Sequence, residues 1–188
     1  GLHWETEAEK PIAAVVDVLI GRFGAKPGRI ALIGLSLGGY FVARAAGYDA
    51  RFATVLASTP FPNPAEMFAL SARAAVNSTA MPSSSAMRSR QVTLWKAGAK
   101  NLKEFLSRTA GMVADARLVT VPFLSILGGG DSQVFAEQAT AWHQDIRSQR
   151  KAFVILDEAT GADGHVQINN RLRLAQECCG WMDEIFGM

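Results

Sequence analysis

Ser36 lies in Gly34-Leu35-Ser36-Leu37-Gly38, a setting that suits an activated alcohol. A serine hydroxyl is a weak nucleophile on its own. It needs a base to take its proton and a carboxylate to orient that base. Three histidines are available. His3 precedes the serine, and His143 stands beside Trp142 in an amphipathic stretch that predicts a surface or half-buried structural role. His165, in Gly161-Ala162-Asp163-Gly164-His165, follows the last apolar run and can reach back over Ser36. Asp131 closes Gly128-Gly129-Gly130-Asp131 directly after an apolar run, and those glycines would let the backbone turn sharply to present the carboxylate. Asp157, Glu158 and Asp163 are the rival acids, and Asp163 could equally stabilise its own loop turn. The Leu37 N–H, one residue past the serine, would face an oxyanion formed on a bound carbonyl. Together Ser36, Asp131, His165 and Leu37 point to attack on a carbonyl carbon, either by Ser36 itself to give an acyl-enzyme or by a water that Ser36 and His165 activate.

These side chains need elements to hold them. Residues 9–23 read as a helix with a broad apolar face, ended by Gly24 and the Lys26-Pro27-Gly28 turn. Residues 29–35 (RIALIGL) have the continuous apolar character of a central parallel strand buried on both faces. A helix of small residues runs from Leu37 to Ala46, with Gly47 closing it. Residues 52–58 (FATVLAS), 122–128 (PFLSILG) and 152–156 (AFVIL) predict three more buried strands. Residues 64–117 predict helices joined by the Ser-rich link Ser83-Ser84-Ser85, and residues 135–150 and 169–186 read as amphipathic helices.

Alternation of helix and strand implies an α/β fold with a parallel sheet. A G-x-S-x-G motif between a buried strand and a helix is the nucleophile elbow of the α/β-hydrolases, whose triad follows in the order Ser, acid, His. Side chains at Gly34 and Gly38 are expected to collide with neighbouring backbone at this sharp turn. The reading divides the chain into a core segment carrying the elbow (residues 1–60), a helical cap insertion (61–117) and a core segment carrying acid and base (118–188). Four strands match the C-terminal half of such a sheet. With Gly1 in place of Met, this leads us to expect upstream strands in the same protein, without which the sheet would expose a hydrophobic edge. The loop that supplies a second oxyanion N–H in this fold has no counterpart in the sequence.

Composition narrows the classes further. A net charge of +2 with scattered Lys and Arg gives no nucleic-acid or membrane-surface footprint. No apolar run approaches the roughly 18 residues a spanning helix requires, and the acidic residues after Trp4 do not read as a signal peptide. Cys178 and Cys179 are adjacent and poorly placed to bridge each other, which fits thiols in a reducing, cytoplasmic setting.

Gly34-Leu35-Ser36-Leu37-Gly38-Gly39, Gly130-Asp131 and the stretch from Gly161 through Asn170 (GADGHVQINN) together resemble one hydrolase branch. That branch includes 2,6-dihydropseudooxynicotine hydrolase and the fungal yellowish-green hydrolases, which shorten polyketide chains. The closing stretch from Trp181 to Gly187 is most similar to the fungal enzymes. The resemblance is loose between Pro60 and Arg117. It implies hydrolysis of a carbon–carbon bond beside a carbonyl in a polyketide-like or acyl-aromatic small molecule. It also implies Ser36, Asp131 and His165 as the triad, no metal or organic cofactor, and a homodimer as a common assembly.

Two other readings stand beside this one. The same triad serves a carboxylesterase, and a hydrolase-like chain can act as a non-catalytic binding module. Phe61, Met67, Phe68, Met81, Met87, Trp95 and Phe105 in the helical segment would suit an apolar or aromatic acyl group, or would pack that segment's own core.

Overall fold

Apolar runs bounded by glycine and proline turns place four strands in one parallel sheet. In a computed structural model, residues 3–77 and 81–188 are described. The order is α1 (Glu9–Phe23), β1 (Ile30–Leu35), α2 (Leu37–Tyr48), β2 (Phe52–Ser58), α3 (Pro64–Asn77), α4 (Ser84–Lys96), α5 (Leu102–Thr109), β3 (Phe123–Gly128), α6 (Gln133–Asp145), β4 (Lys151–Leu156) and α7 (Arg171–Phe186). The strands lie side by side in the order β1-β2-β3-β4, all parallel. Their register aligns Leu35 with Ser58, Ser58 with Ile126, and Gly128 with Leu156, so the C-terminal strand ends share one rim.

The chain divides into two compact units. One comprises Glu9–Pro62 and Ala114–Met188 and contains the sheet. Every residue of β3 is buried, as are all of β2 but Ala53. Leu56, Leu124, Ile126, Leu156, Ala162, Leu174 and Cys178 form a core beneath α7, and the Trp181 indole N–H donates to the Thr54 hydroxyl at 2.7 Å. β1 differs from its expected central position. Among the described residues it pairs with β2 alone, and Ile33 and Leu35 are exposed. Apolar sequence reports what a strand could bury, and a neighbour must exist for it to do so.

Two helix ends also differ. Gly47 sits inside α2, which runs on to Tyr48; a Cβ there would press on Leu118 Cβ at 3.0 Å, so the glycine serves close packing. α6 stops at Asp145 because Ile146 is extended, and the Lys151 ammonium donates to the carbonyls of His143, Gln144 and Ile146. That cation answers the free carbonyls of a helix C-terminus.

The second unit comprises Gly1–Ala8 and Asn63–Val113. Ala97, Ala99 and Phe105 are its buried centre, with Trp4, Phe68, Leu94, Leu102 and Leu106 partly buried against them. Phe68 packs edge-on to Phe105 and stacks on Trp4, whose backbone N–H donates to Lys96 O at 2.8 Å. Ser83-Ser84-Ser85 is a helix start and not a link: the Ser83 hydroxyl accepts from Ala86 N–H, capping α4. α4 has no buried residue, and Met81 and Trp95 are exposed. Among the described residues, no helix is long and apolar enough to cross a membrane.

Candidate active site

The rim of the sheet gathers the three predicted side chains, each on the residue or loop that follows a strand. Ser36 sits between β1 and α2 with φ 54°, ψ −121°. A positive φ is unfavourable for a residue with a Cβ, and such strain persists only where surrounding structure enforces it. Here the Ser36 N–H donates to Ser58 O at 3.0 Å, and Ser36 O accepts from Gly39 N–H at 2.7 Å. A Cβ at Gly34 would overlap the Gly38 carbonyl and meet Val42, as the motif predicts. The expectation for Gly38 is not met, since a Cβ there would point into open space. The demanding position is Gly39, where a Cβ would lie 2.8 Å from Thr59 O because α2 crosses close above the end of β2.

His165 Nε2 lies 2.9 Å from Ser36 Oγ, and His165 Nδ1 lies 2.6 Å from Asp131 Oδ1. With the Nδ1 proton directed to Asp131, Nε2 is left as acceptor for the serine hydroxyl. The Asp131 side chain is 2% exposed and that of His165 38%, so the carboxylate is sealed off while the base remains reachable. The second carboxylate oxygen, Oδ2, accepts from the Thr59 hydroxyl at 2.9 Å. Phe135 of α6 stacks on the His165 ring at 5.0 Å and meets buried Phe61 edge-on at 5.1 Å. Leu37 is the first residue of α2, where backbone N–H groups have no acceptor within the helix.

The glycines before Asp131 work differently from expected. None of Gly128, Gly129 and Gly130 has a positive φ. At Gly128 and Gly130 the histidine loop packs close: a Cβ at Gly128 would overlap the Asp163 carbonyl, and Gly130 N–H donates to Asp163 O at 2.9 Å, while Gly129 lies against the end of β4, its N–H donating to Leu156 O at 2.7 Å. The rival acids are engaged in their own turns. Asp157 accepts from Thr160 N–H, and Asp163 accepts from the Asn169 amide at 2.8 Å. Glu158 is exposed in the turn after β4. His143 is half-buried against Phe153, and His3 lies against Gly98 in the helical unit. Burial pushes the Cys178 thiol up to about 11, leaving it protonated near neutrality and unsuited as a rival nucleophile.

Sequence reasoning missed Ser58, Thr59, Gln167 and Phe135. A faint signal existed in Ser58-Thr59, two hydroxyl residues ending an otherwise apolar strand and followed by Pro60. Among the described residues, no group of three His, Cys, Asp or Glu is placed to hold a metal ion.

The sequence model of the prolyl oligopeptidase family matches residues 2–188. No curated protein matches the chain. Among solved structures, it is similar to 2,6-dihydroxy-pseudo-oxynicotine hydrolase at 17% identity and TM-score 0.68, over 96% of this chain and 47% of that one. It is similar to the α/β-hydrolase GrgF from Penicillium sp. sh18 at 14% identity and TM-score 0.61, over 97% and 72%. A thermophilic esterase from Thermogutta terrifontis is similar at 20% identity and TM-score 0.56, over 98% and 74%. At these identities the likeness is one of fold, the parallel sheet and flanking helices of an α/β-hydrolase. The chain spans about half the length of the pseudo-oxynicotine hydrolase.

Proposed function

The chain belongs to the prolyl oligopeptidase family, and from that premise we propose that it carries the acyl-transfer site of a serine hydrolase. The observation that carries this reading is the unbroken line Ser36–His165–Asp131, with hydrogen-bond distances of 2.9 and 2.6 Å. Ser36 Oγ adds to a carbonyl carbon while its proton passes to His165 Nε2. Buried Asp131 holds the ring and stabilises the imidazolium. The Leu37 N–H donates to the oxyanion. Collapse breaks the bond to the leaving group, which takes the proton from His165. Water, deprotonated by His165, then attacks the acyl ester; the product leaves as a carboxylic acid and the proton returns to Ser36.

The substrate we favour is a polyketide-like or acyl-aromatic β-dicarbonyl compound, cut at the carbon–carbon bond beside a carbonyl. The leaving group is then an enolate, stabilised by its conjugation, which becomes a ketone on protonation. Support comes from the residues around His165 that resemble chain-shortening hydrolases and from the aromatic pair Phe135 and Phe61 beside the base. Carboxylester cleavage is the second reading, favoured by the fold shared with the Thermogutta esterase. The reading extends to a cytoplasmic enzyme without cofactor. In it, further strands of the same protein pair with β1, whose Ile33 and Leu35 are exposed beside an unpaired edge, and two copies assemble.

The test incubates the intact protein with an aryl β-diketone and, separately, with p-nitrophenyl butyrate. Release of an aromatic acid and a methyl ketone, lost in Ser36→Ala, supports carbon–carbon hydrolysis. Ester turnover without diketone cleavage favours the esterase. Neither reaction with any carbonyl substrate would leave a binding module.

A further inference from the structure

The last two residues before Pro60 touch all three members of the triad or their supports. Ser58 O accepts the Ser36 backbone N–H at 3.0 Å, fixing the elbow. The Ser58 hydroxyl donates to Gln167 Oε1 at 2.7 Å, two residues past His165, in a wholly buried pair. The Thr59 hydroxyl donates to Asp131 Oδ2 at 2.9 Å, while its backbone N–H donates to Ile126 O at 2.7 Å. Thr59 is fully buried and has φ 56°, a conformation that costs a β-branched residue dearly.

The strained backbone positions tell the same story. Among the described residues, the non-glycine positions with positive φ are Ser36, Thr59, Val166 and Gln167. All stand on this rim, and two of the four are joined to the triad by side-chain or loop contacts through Ser58-Thr59. Strain of this kind persists where the surrounding structure over-determines it, and it gathers at sites of function. Val in place of Thr59 would be as bulky and as β-branched, yet Thr occupies the site. The hydroxyl is what distinguishes them, and it meets the one acid that orients the base.

We propose that Ser58-Thr59 is a positioning dipeptide: the Thr59 hydroxyl sets the plane of the Asp131 carboxylate, and the Ser58 hydroxyl, through Gln167, sets the loop that carries His165. This rests on the triad reading above. Asp131 Oδ1 points to His165 only while Oδ2 is held. A carboxylate free to rotate would let the imidazole swing away from Ser36 Oγ. The device acts on the rate of proton transfer and leaves substrate contacts alone.

The experiment compares Thr59→Val, Thr59→Ser, Ser58→Ala and Ser36→Ala in the intact protein, using p-nitrophenyl butyrate turnover and labelling of Ser36 by a fluorophosphonate. Loss of a hydrogen bond to a charged group predicts that Thr59→Val lowers kcat about 10- to 100-fold with KM little changed, and slows labelling in step. Thr59→Ser, which keeps the donor, should recover most of that rate; a merely structural role would give no such rescue. Ser58→Ala should reduce kcat several-fold by the same route. Should Thr59→Val lose its fold by circular dichroism, Ser58→Ala and Gln167→Met carry the test, and undiminished kcat in both overturns the proposal. Wild-type kcat in a folded Thr59→Val also overturns it, provided Ser36→Ala is inactive. Turnover that survives in Ser36→Ala removes the triad reading itself.

Discussion

The sheet rim and the helical unit use buried side chains in opposite ways. On the rim, burial fixes polar groups: Asp131, Thr59, Ser58 and Gln167 are all sealed, and the hydrogen bonds among them and to His165 leave little freedom. In the helical unit, burial is mainly apolar and sparse, a few residues around Phe105 with the Thr109 hydroxyl donating to Phe105 O, while Trp95 and Met81 face solvent. A reaction needs groups held to within a fraction of an ångström, and polar networks inside a dry matrix provide that. A sparsely packed helical unit leaves its side chains more freedom.

The sharpest way to break this contrast is Ser36→Ala. It should cost turnover about 10⁵-fold or more while leaving thermal unfolding unchanged, measured by steady-state kinetics and calorimetry. Asp131→Asn follows, with a loss of about 10³- to 10⁴-fold from the wrong His165 tautomer. Asp157→Asn and Asp163→Asn should stay far closer to wild type in the same assay; a loss there equal to that of Asp131→Asn would move the acid. Phe105→Ala tests the other region. Removing it should destabilise the helical unit by about 3–5 kcal/mol, read as faster amide exchange in α3 and α5, with protection of β2 and β3 retained. Gly39→Ala should cost about 1–3 kcal/mol through its clash with Thr59 O, whereas Gly38→Ala, facing open space, should be neutral or mildly stabilising in chemical denaturation.

The smallest effect is a pH dependence away from the rim. Burial, with the Lys151 ammonium adding to it, holds His143 below its ordinary value. Proton uptake there favours the unfolded chain. The stability this side chain contributes is full above its unfolded value of about 6.5 and is lost as pH falls through the lower folded value. His143→Gln should flatten that part of the melting temperature against pH; an unchanged slope would remove His143 as the source.

The strands, and the meeting of Ser36, Asp131 and His165, were legible because both rest on local signals. FATVLAS and PFLSILG can bury themselves in one way, and Ser36, Asp131 and His165 each follow a strand. The glycines were legible as necessary but not in their reasons: Gly34 fits the collision argument, Gly39 and not Gly38 meets Thr59, and Gly128 makes room for the Asp163 carbonyl. Those reasons are contacts between segments far apart in the chain. The same holds for Thr59 and Gln167, whose types are ordinary and whose partners are visible only after folding. The start of α4 shows a different gap: Ser83 carries a cap signal, but the serines after it read as a link.

The site joins distant parts of the chain: His165 meets Ser36 across 129 positions, and Ser58 meets Gln167 across 109. Contacts of such long range carry a large loop-closure entropy and form late in folding. Until β3 and β4 have added to the sheet, Ser36 is an ordinary alcohol on a nascent strand, with no base within reach. The contacts that join Ser36, His165 and Asp131 are therefore among the last this chain acquires.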